Sequence, residues 1–415
     1  MNPQAPTLYR APYVVPVTTP VIRDGGVLVQ GGRILAVDQF RRLCPDAGQV
    51  VELEGRVITP ALINCHCHLE LSHLAALGSD ESLPANDITA WIRVLLARRA
   101  EETPAARIAE SGREALDCQY RRGVALVADI GNQPGSHKLG EGQEAEHLFF
   151  QEILGLTETA ATAALASLPG EVAATVHALY SCHPHLIRAV KEQARQRGAL
   201  FPIHVAESLD EIEFLQAGKG RFLDFLGERL QQVGALSAGQ SVSELLPAPP
   251  GCGAVAYLQA LGVLDDRTIC VHAVHLLPGE VELIAQAGAK VCLCPGSNRR
   301  LGVGKAPLPL MIRHQILPGL GTDSLTSNTT LDLWHEMQLL CADHPEVAPE
   351  LIFRMATLGG AHTLGVSARL GALAPNHEAK ILSVAYSGPE RELYPFLVNS
   401  GVTTEVEWLK VHHDP

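Results

Sequence analysis

The sequence predicts an α/β fold: a (β/α)8 TIM barrel carrying a small β-sandwich domain formed by both chain ends. Three observations predict it. Eight strand-like runs alternate with helical segments between residues 59 and 367. Those runs are nearly continuous in apolar residues, as in parallel strands buried on both faces. Short β-branched runs broken by turn signals flank this region on either side.

Residues 8–58 hold "YVVPV", "GVLVQ", "RILAV" and "QVVEL", with turns expected at Asp24-Gly25-Gly26 and Gly31-Gly32. They read as a small antiparallel sheet. The barrel runs follow in order: "RVITPALINCHC", "GVALVADI", "HLFFQEIL", "ATVHALYS", "LFPIHVAE", "TICVHAVH", "KVCLCPGS" and "ILPGLGTDS". Thr103-Pro104 offers a helix start, Ser208 with Glu211 a capping box, and Gly198 a stop before the fifth strand. The segment "ITAWIRVLLARR" sets Ile88, Trp91, Ile92, Leu95 and Leu96 on one helical face, expected to pack on the sheet. A barrel needs about 250 residues, and the excess lies mainly in 217–262, with its loop "LPAPPGCG". The tail supplies "KILSVAYS" and "TTEVEWL", which complete the first sheet. The expected domains are therefore 1–58 with 368–415, and 59–367.

The bulk composition excludes several classes. A formal charge of −13 over 415 residues opposes a nucleic-acid or anionic-membrane partner. The N-terminal stretch has no charged segment followed by an apolar one, and no run reaches the ~18 apolar residues of a membrane span. Ten cysteines without a disulfide-like framework suit reduced thiols in the cytoplasm.

The chemistry concentrates at strand ends. Alternate residues of a strand share a face, so His66 and His68 point one way and Cys65 and Cys67 the other, toward the covering helices. His204 ends the fifth strand, His272 lies in the sixth, and Asp323 ends the eighth. In a barrel all of these face the C-terminal mouth. Three imidazoles and a carboxylate around one divalent ion, with a position left for water, form a catalytic arrangement. A cytidine-deaminase zinc site would need P-C-x-x-C after H-x-E, and a zinc knuckle would need two close ligand pairs. The chain has neither. His183 and His185 form a second H-x-H, but Pro184 suits a helix start there, so both read as capping or surface residues. His275, on a turn, reads as packing.

These residues resemble the amidohydrolase superfamily, in its aromatic deaminase and chlorohydrolase branch, over nearly the whole chain. "ITPALINCHCHLELS" is similar to the family's P-G-x-[IV]-[ND]-x-H-x-H, with Pro60-Ala61 where Pro-Gly is usual. "HVAES" resembles H-x-x-E, "VHAVHL" resembles H-C-V-H-L, and "CPGSNRRLGVGKAPLP…GLGTDSLTSN" resembles the segment leading to the metal-binding Asp. The resemblance implies His66, His68, His204 and Asp323 as ligands, with Glu207, His272 and Asp323 catalytic. Binuclear members carry a bridging Lys on the fourth strand. None stands in "ATVHALYS", so one divalent ion is expected, Zn2+ or Fe2+.

The resemblance also implies a deaminase of a small aminated heterocycle, and His177 resembles a position that contacts substrate in related deaminases. Glu70 and Ser72, just beyond the ligand pair, and Asn298, in "PGSN", read as further candidate substrate contacts. "HCHLELSHL" followed by "ITAWIRVLLARR" most resembles members that convert 6-aminodeoxyfutalosine to futalosine in menaquinone biosynthesis. The same core serves deaminases of S-adenosylhomocysteine, 5′-methylthioadenosine, guanine or cytosine, and s-triazine hydrolases. A barrel that keeps its metal but lacks turnover, acting as a binding protein, is the alternative of another class. A homo-oligomer is compatible with the sequence, which is otherwise silent on assembly. One departure stands out: the C-terminal pattern G-x-[IL]-x-x-G-x-x-A-D reads "GALAPNHEAK" here, lacking the second Gly and the Asp.

Overall fold

The computed structural model describes residues 5–168, 170–237 and 239–410. The chain ends build one sheet from β1 (Thr7–Val14), β2 (Ile22–Gln30), β3 (Arg33–Gln39), β4 (Gln49–Glu52) and β5 (Arg56–Pro60). Eight strands follow: β6 (Leu62–Cys67), β7 (Val124–Gly131), β8 (Glu146–Ile153), β9 (Ala173–Val176), β10 (Phe201–Val205), β11 (Thr268–His272), β12 (Lys290–Leu293) and β13 (Gly319–Leu320). The tail adds β14 (Ile381–Ala385) and β15 (Val406–Trp408).

All eight expected barrel strands are present, paired parallel in the order β10-β11-β12-β13-β6-β7-β8-β9. The ring closes between β9 and β10, where His204 N–H donates to the His177 carbonyl at 3.0 Å. The result is a (β/α)8 barrel plus an added sheet. One crossover departs from the repeat. Between β7 and β8 the described chain has a 3-10 turn at Ser136–Lys138 in place of an α-helix. The run "RVITPALINCHC" is also two strands: Ala61 separates β5, in the small sheet, from β6, in the barrel.

The small sheet runs β15-β14-β5-β1-β2-β3, with β4 also on β1. It is mixed rather than antiparallel, because β4 and β5 both pair parallel to β1. Gly31-Gly32 forms the β2–β3 hairpin turn with φ of 56° and 74°, matching a two-residue primed turn. Asp24-Gly25-Gly26 is not a turn. It lies inside β2 opposite Arg10 and Ala11, where a Cβ on Gly25 or Gly26 would fall 2.8 Å from Val14 or 2.7 Å from Leu8. In the tail pattern, Asn376 stands at the missing glycine with φ of 69°. Asn is among the few residues that tolerate this region, so the turn survives the substitution.

Two apolar layers hold the barrel. Ile63, Leu126, Ile130, Phe150, Val271 and Cys292 come from five strands and fill its interior, with Ala361 and Leu364 packed among them. A larger layer lies between strands and helices, including Leu116, Val127, Ile187, Ile203, Ile284 and Trp334. Ser208 Oγ caps the helix Leu209–Ala217 by accepting Glu211 N–H at 3.2 Å. Thr103 does not cap, because the helix Ala105–Arg121 starts from Pro104 without a side-chain cap.

Candidate active site

The strand ends deliver six side chains to one point at the barrel mouth. His66 lies on β6 and His68 just beyond it; His204 lies on β10 and His272 at the end of β11. Glu207 follows β10 and Asp323 follows β13. The His66 ring centroid is 4.7, 4.9 and 5.9 Å from those of His68, His204 and His272. His66 Nε2 and His68 Nε2 each stand 3.6 Å from Asp323 Oδ1.

Strict alternation does not bring this about. The β6–β7 register shifts between Asn64 and Cys67, a bulge-like irregularity. Cys65 therefore packs with Ile130, Cys292 and Ala361, its Sγ 3.7 Å from the Gly360 carbonyl, and does not share a face with Cys67, contrary to expectation. Cys67 does lie outward, near Gln119. At β11 the turn is sharper. His272 has φ of 69°, and Ala206, Ala273 and Asp323 have φ of 52°, 48° and 57°. Left-handed backbone is costly for non-glycine residues, and here it re-aims side chains past the strand ends into the mouth. Gly321 permits the approach of β13: a Cβ there would lie 2.8 Å from His66 Cβ.

Three of the four imidazoles are fixed through their second nitrogen. His68 Nδ1 faces the Ile130 carbonyl at 2.9 Å, His204 Nδ1 the His177 carbonyl at 2.8 Å, and His272 Nδ1 the Asn298 Oδ1 at 3.0 Å. Nδ1 therefore carries the proton in each, and the Nε2 lone pair points inward. Burial pushes His68 down to about 3 and His204 well below the ordinary imidazole range, with neighbouring imidazoles adding to it. Burial alone would raise the Asp323 carboxyl, but His66 and the surrounding imidazoles hold it well below the usual range. Its Oδ2 accepts from Ser297 at 2.6 Å and Ser327 at 2.9 Å, and its Oδ1 from Ser324 N–H at 2.8 Å.

This donor set fits a divalent cation. Both ring nitrogens of His66 are buried without a hydrogen-bond partner, which is costly unless something takes their place. Two donors bound tetrahedrally at ~2.1 Å lie about 3.4 Å apart, close to the observed 3.6 Å.

Glu207 is buried and raised to about 7, by desolvation first, against the opposing pull of His272. Its Oε1 is 3.5 Å from His272 Nε2. Glu211 presents it, accepting Ala206 N–H at 3.0 Å and Glu207 N–H at 2.8 Å.

A cleft of about 470 Å³ opens over these groups. His177 and Glu70 line it, whereas Ser72 and Asn298 do not. Asn298 instead orients His272. Glu70 Oε2 accepts from Asn132 N–H, Gln133 N–H and Ser136 Oγ, and its Oε1 accepts from Arg99, which makes it a framework group at the cleft floor. The helix Ile88–Arg99 does not rest on the sheet as expected. Its face of Ile88, Trp91, Ile92, Leu95 and Leu96 forms a cleft wall, opposite Phe225, Leu226 and Leu230 of the inserted helix Arg221–Gln232. Helical periodicity marks an apolar face without saying what covers it. Glu152, Arg99 and Arg229 also line the cleft, and none had been singled out in the sequence. For Glu152 the signal was a carboxylate ending an apolar strand, "HLFFQEIL". His183 caps the helix Pro184–Gln196, and His275 reaches the Val303 carbonyl.

The amidohydrolase family model matches residues 57–406. The chain belongs to the amidohydrolase family. Amidohydrolases are metal-dependent, and this one is a hydrolase acting on carbon–nitrogen bonds. It is 27% identical over 420 residues to a 5-methylthioadenosine/S-adenosylhomocysteine deaminase of Pelotomaculum thermopropionicum, covering 93% of this chain and 87% of that one. It is 28% identical over 360 residues to an aminodeoxyfutalosine deaminase of Deinococcus radiodurans, covering 82% and 81%. The solved Helicobacter pylori aminofutalosine deaminase with methylthio-coformycin superposes with a TM-score of 0.78 at 24% identity, covering 97% of each chain. Among the described residues of this amidohydrolase, no helix is long and apolar enough to cross a membrane.

Proposed function

We propose that this amidohydrolase is a hydrolytic deaminase of an adenine nucleoside, converting 6-aminodeoxyfutalosine to futalosine and ammonia on the route to menaquinone. His66, His68, His204 and Asp323 would hold one Zn2+ or Fe2+, both of which accept nitrogen and oxygen donors. Such an ion lowers the pKa of a coordinated water from 15.7 toward ~7.

The chain's own groups then move the protons. Asp323 accepts the proton leaving the attacking water. His272, its Nδ1 occupied by Asn298, offers Nε2 to orient that water. Glu207, its carboxyl raised to about 7 and so keeping its proton below that pH, donates to a ring nitrogen and makes the adjacent carbon electrophilic. The carbon–oxygen bond forms, Asp323 returns its proton to the amine, and ammonia leaves. Glu207 recovers its proton from the new hydroxyl as the carbonyl forms.

Identities of 27% and 28% do not separate the two named activities. The observation that carries the substrate reading is the outer cleft. Trp91, Leu95, Leu154, Leu156, Phe225 and Val233 line it, and Arg229 enters it bonded only to the neutral Gln232 among the described residues. An apolar wall ending in a guanidinium without a carboxylate partner suits the carboxylated aromatic ring of 6-aminodeoxyfutalosine. A methylthio group would leave Arg229 unused. The homocysteine of S-adenosylhomocysteine could also pair its carboxylate with Arg229, but it would bring a charged ammonium against the apolar wall.

The test is ammonia release from metal-loaded protein given 6-aminodeoxyfutalosine beside S-adenosylhomocysteine, 5′-methylthioadenosine, adenosine, guanine and cytosine. Turnover of the first well above the rest is expected. Preference for another member overturns the substrate, and silence across the panel with metal bound overturns the deaminase.

A further inference from the structure

We infer that Glu152 is a substrate-contacting residue that receives the ribose hydroxyls, selecting nucleosides over free bases. The inference rests on the adenine-nucleoside reading above.

Glu152 ends β8 with its side chain in the cleft wall, buried to 7% exposure. Its Oε2 accepts from Asn132 Nδ2 at 2.8 Å. Asn132 is itself fixed, its Oδ1 accepting from Arg99 at 2.7 Å and its N–H donating to Glu70 at 2.9 Å. Asn132, Arg99 and Glu70 thus hold one carboxyl group in place. Its other oxygen, Oε1, is buried with no hydrogen-bond partner. A buried acceptor left unpaired is costly, and a structure that fixes one at a binding wall has left it for a ligand.

A second metal does not account for it. Glu152, His177 and His204 do cluster, but His204 Nδ1 is bound to the His177 carbonyl. That leaves His204 a single free nitrogen, already turned to the His66 and His68 centre. Burial raises the Glu152 carboxyl to about 7, so above that pH Oε1 is a carboxylate acceptor and takes a hydrogen-bond donor. In an adenine nucleoside the 6-amino group is the leaving group, and the remaining ring nitrogens are acceptors. The sugar hydroxyls are the donors left.

Position is compatible with this. Glu152 offers an oxygen within 4.8 Å of ring nitrogens of His177 and His204, and Leu154, two residues on, lines the same cleft and is 47% exposed. A ring held at the imidazoles with its sugar directed toward Leu154 brings the hydroxyls past Glu152.

The experiment is a double-mutant cycle: wild type and Glu152→Gln, each with a ribonucleoside and its 2′,3′-dideoxy counterpart. It is read as kcat/KM and as the calorimetric Kd of the unreactive inosine-type products. Hydrogen bonds to a charged group predict a loss of about 10- to 100-fold for the dideoxy ligand on wild type. The loss should shrink to within about 3-fold on Glu152→Gln, with free adenine indifferent to the substitution. Additive losses, or a dideoxy ligand that binds wild type equally well, overturn the inference. Coupling of Glu152 to 3-deaza or 7-deaza ligands instead also overturns it, because the carboxyl would then be donating to the ring. Failure of wild type to bind or turn over any nucleoside is a different result: it removes the adenine-nucleoside reading, and this inference with it.

Discussion

Replacing Glu207 by Gln tests the proposed chemistry most directly. The amide keeps the shape of the carboxyl and its 3.5 Å relation to His272, and it leaves every proposed ligand untouched. It removes only the transferable proton. General acid–base catalysis by one positioned group is worth roughly 10²- to 10⁴-fold, or about 3–5 kcal/mol at 1.36 kcal/mol per decade. Metal content by elemental analysis should match wild type while ammonia release falls within that range. The pH profile adds a second reading. Desolvation raises the Glu207 carboxyl to about 7, so the proton-donating form prevails below that pH and is lost above it. Wild-type activity should therefore fall as pH rises through about 7, and the Gln variant should lack that limb. Activity within about 3-fold of wild type, or an unchanged alkaline limb, would refute the assignment.

Other expectations follow from the same geometry. Chelation should abolish turnover and lower the unfolding temperature, with both restored by Zn2+ or Fe2+; an ion at 100 times its Kd stabilises by about 2.7 kcal/mol. Asn298→Ala frees the His272 ring and should lower kcat about 10- to 100-fold with little change in KM, as for other partners that orient a site histidine; steady-state kinetics decide. Arg229→Gln should raise KM for the carboxylated nucleoside about 10-fold or more and leave 5′-methylthioadenosine unaffected. Glu211→Gln weakens the acceptor for Ala206 and Glu207 N–H and should cost both stability and kcat, read by thermal unfolding beside activity.

The barrel was legible because its eight strands are nearly continuous apolar runs, and no other element type explains them so well. The histidines and Asp323 were legible because each ends such a run. What escaped depended on which surfaces meet. The face of Ile88, Trp91, Ile92, Leu95 and Leu96 has the same period whether a sheet or a substrate cleft covers it. Asn298 reads as a substrate contact until His272 turns back at φ of 69° to meet it. The orientation of Cys65 was misread because a register shift in β6 breaks the two-residue period. Asp24-Gly25-Gly26 has turn composition, yet its glycines serve the close packing of Val14 and Leu8.

The two halves of the site are built from different materials. The proton-moving groups sit on strand ends or the first residues beyond them, held by backbone carbonyls, serines and Asn298. The wall facing the rest of the substrate comes from the helices Ile88–Arg99 and Arg221–Gln232, both in long insertions between strands. A change in those helices alters what fills the cleft without moving an imidazole, because the strand pairing that fixes the imidazoles does not pass through them. Glu152 belongs to the rigid half but faces the variable one. Asn132 and Arg99 connect it to the Ile88–Arg99 helix, so a substitution that shifts this helix should disturb sugar recognition before it disturbs proton transfer. The measurable order is KM for nucleosides first and kcat second.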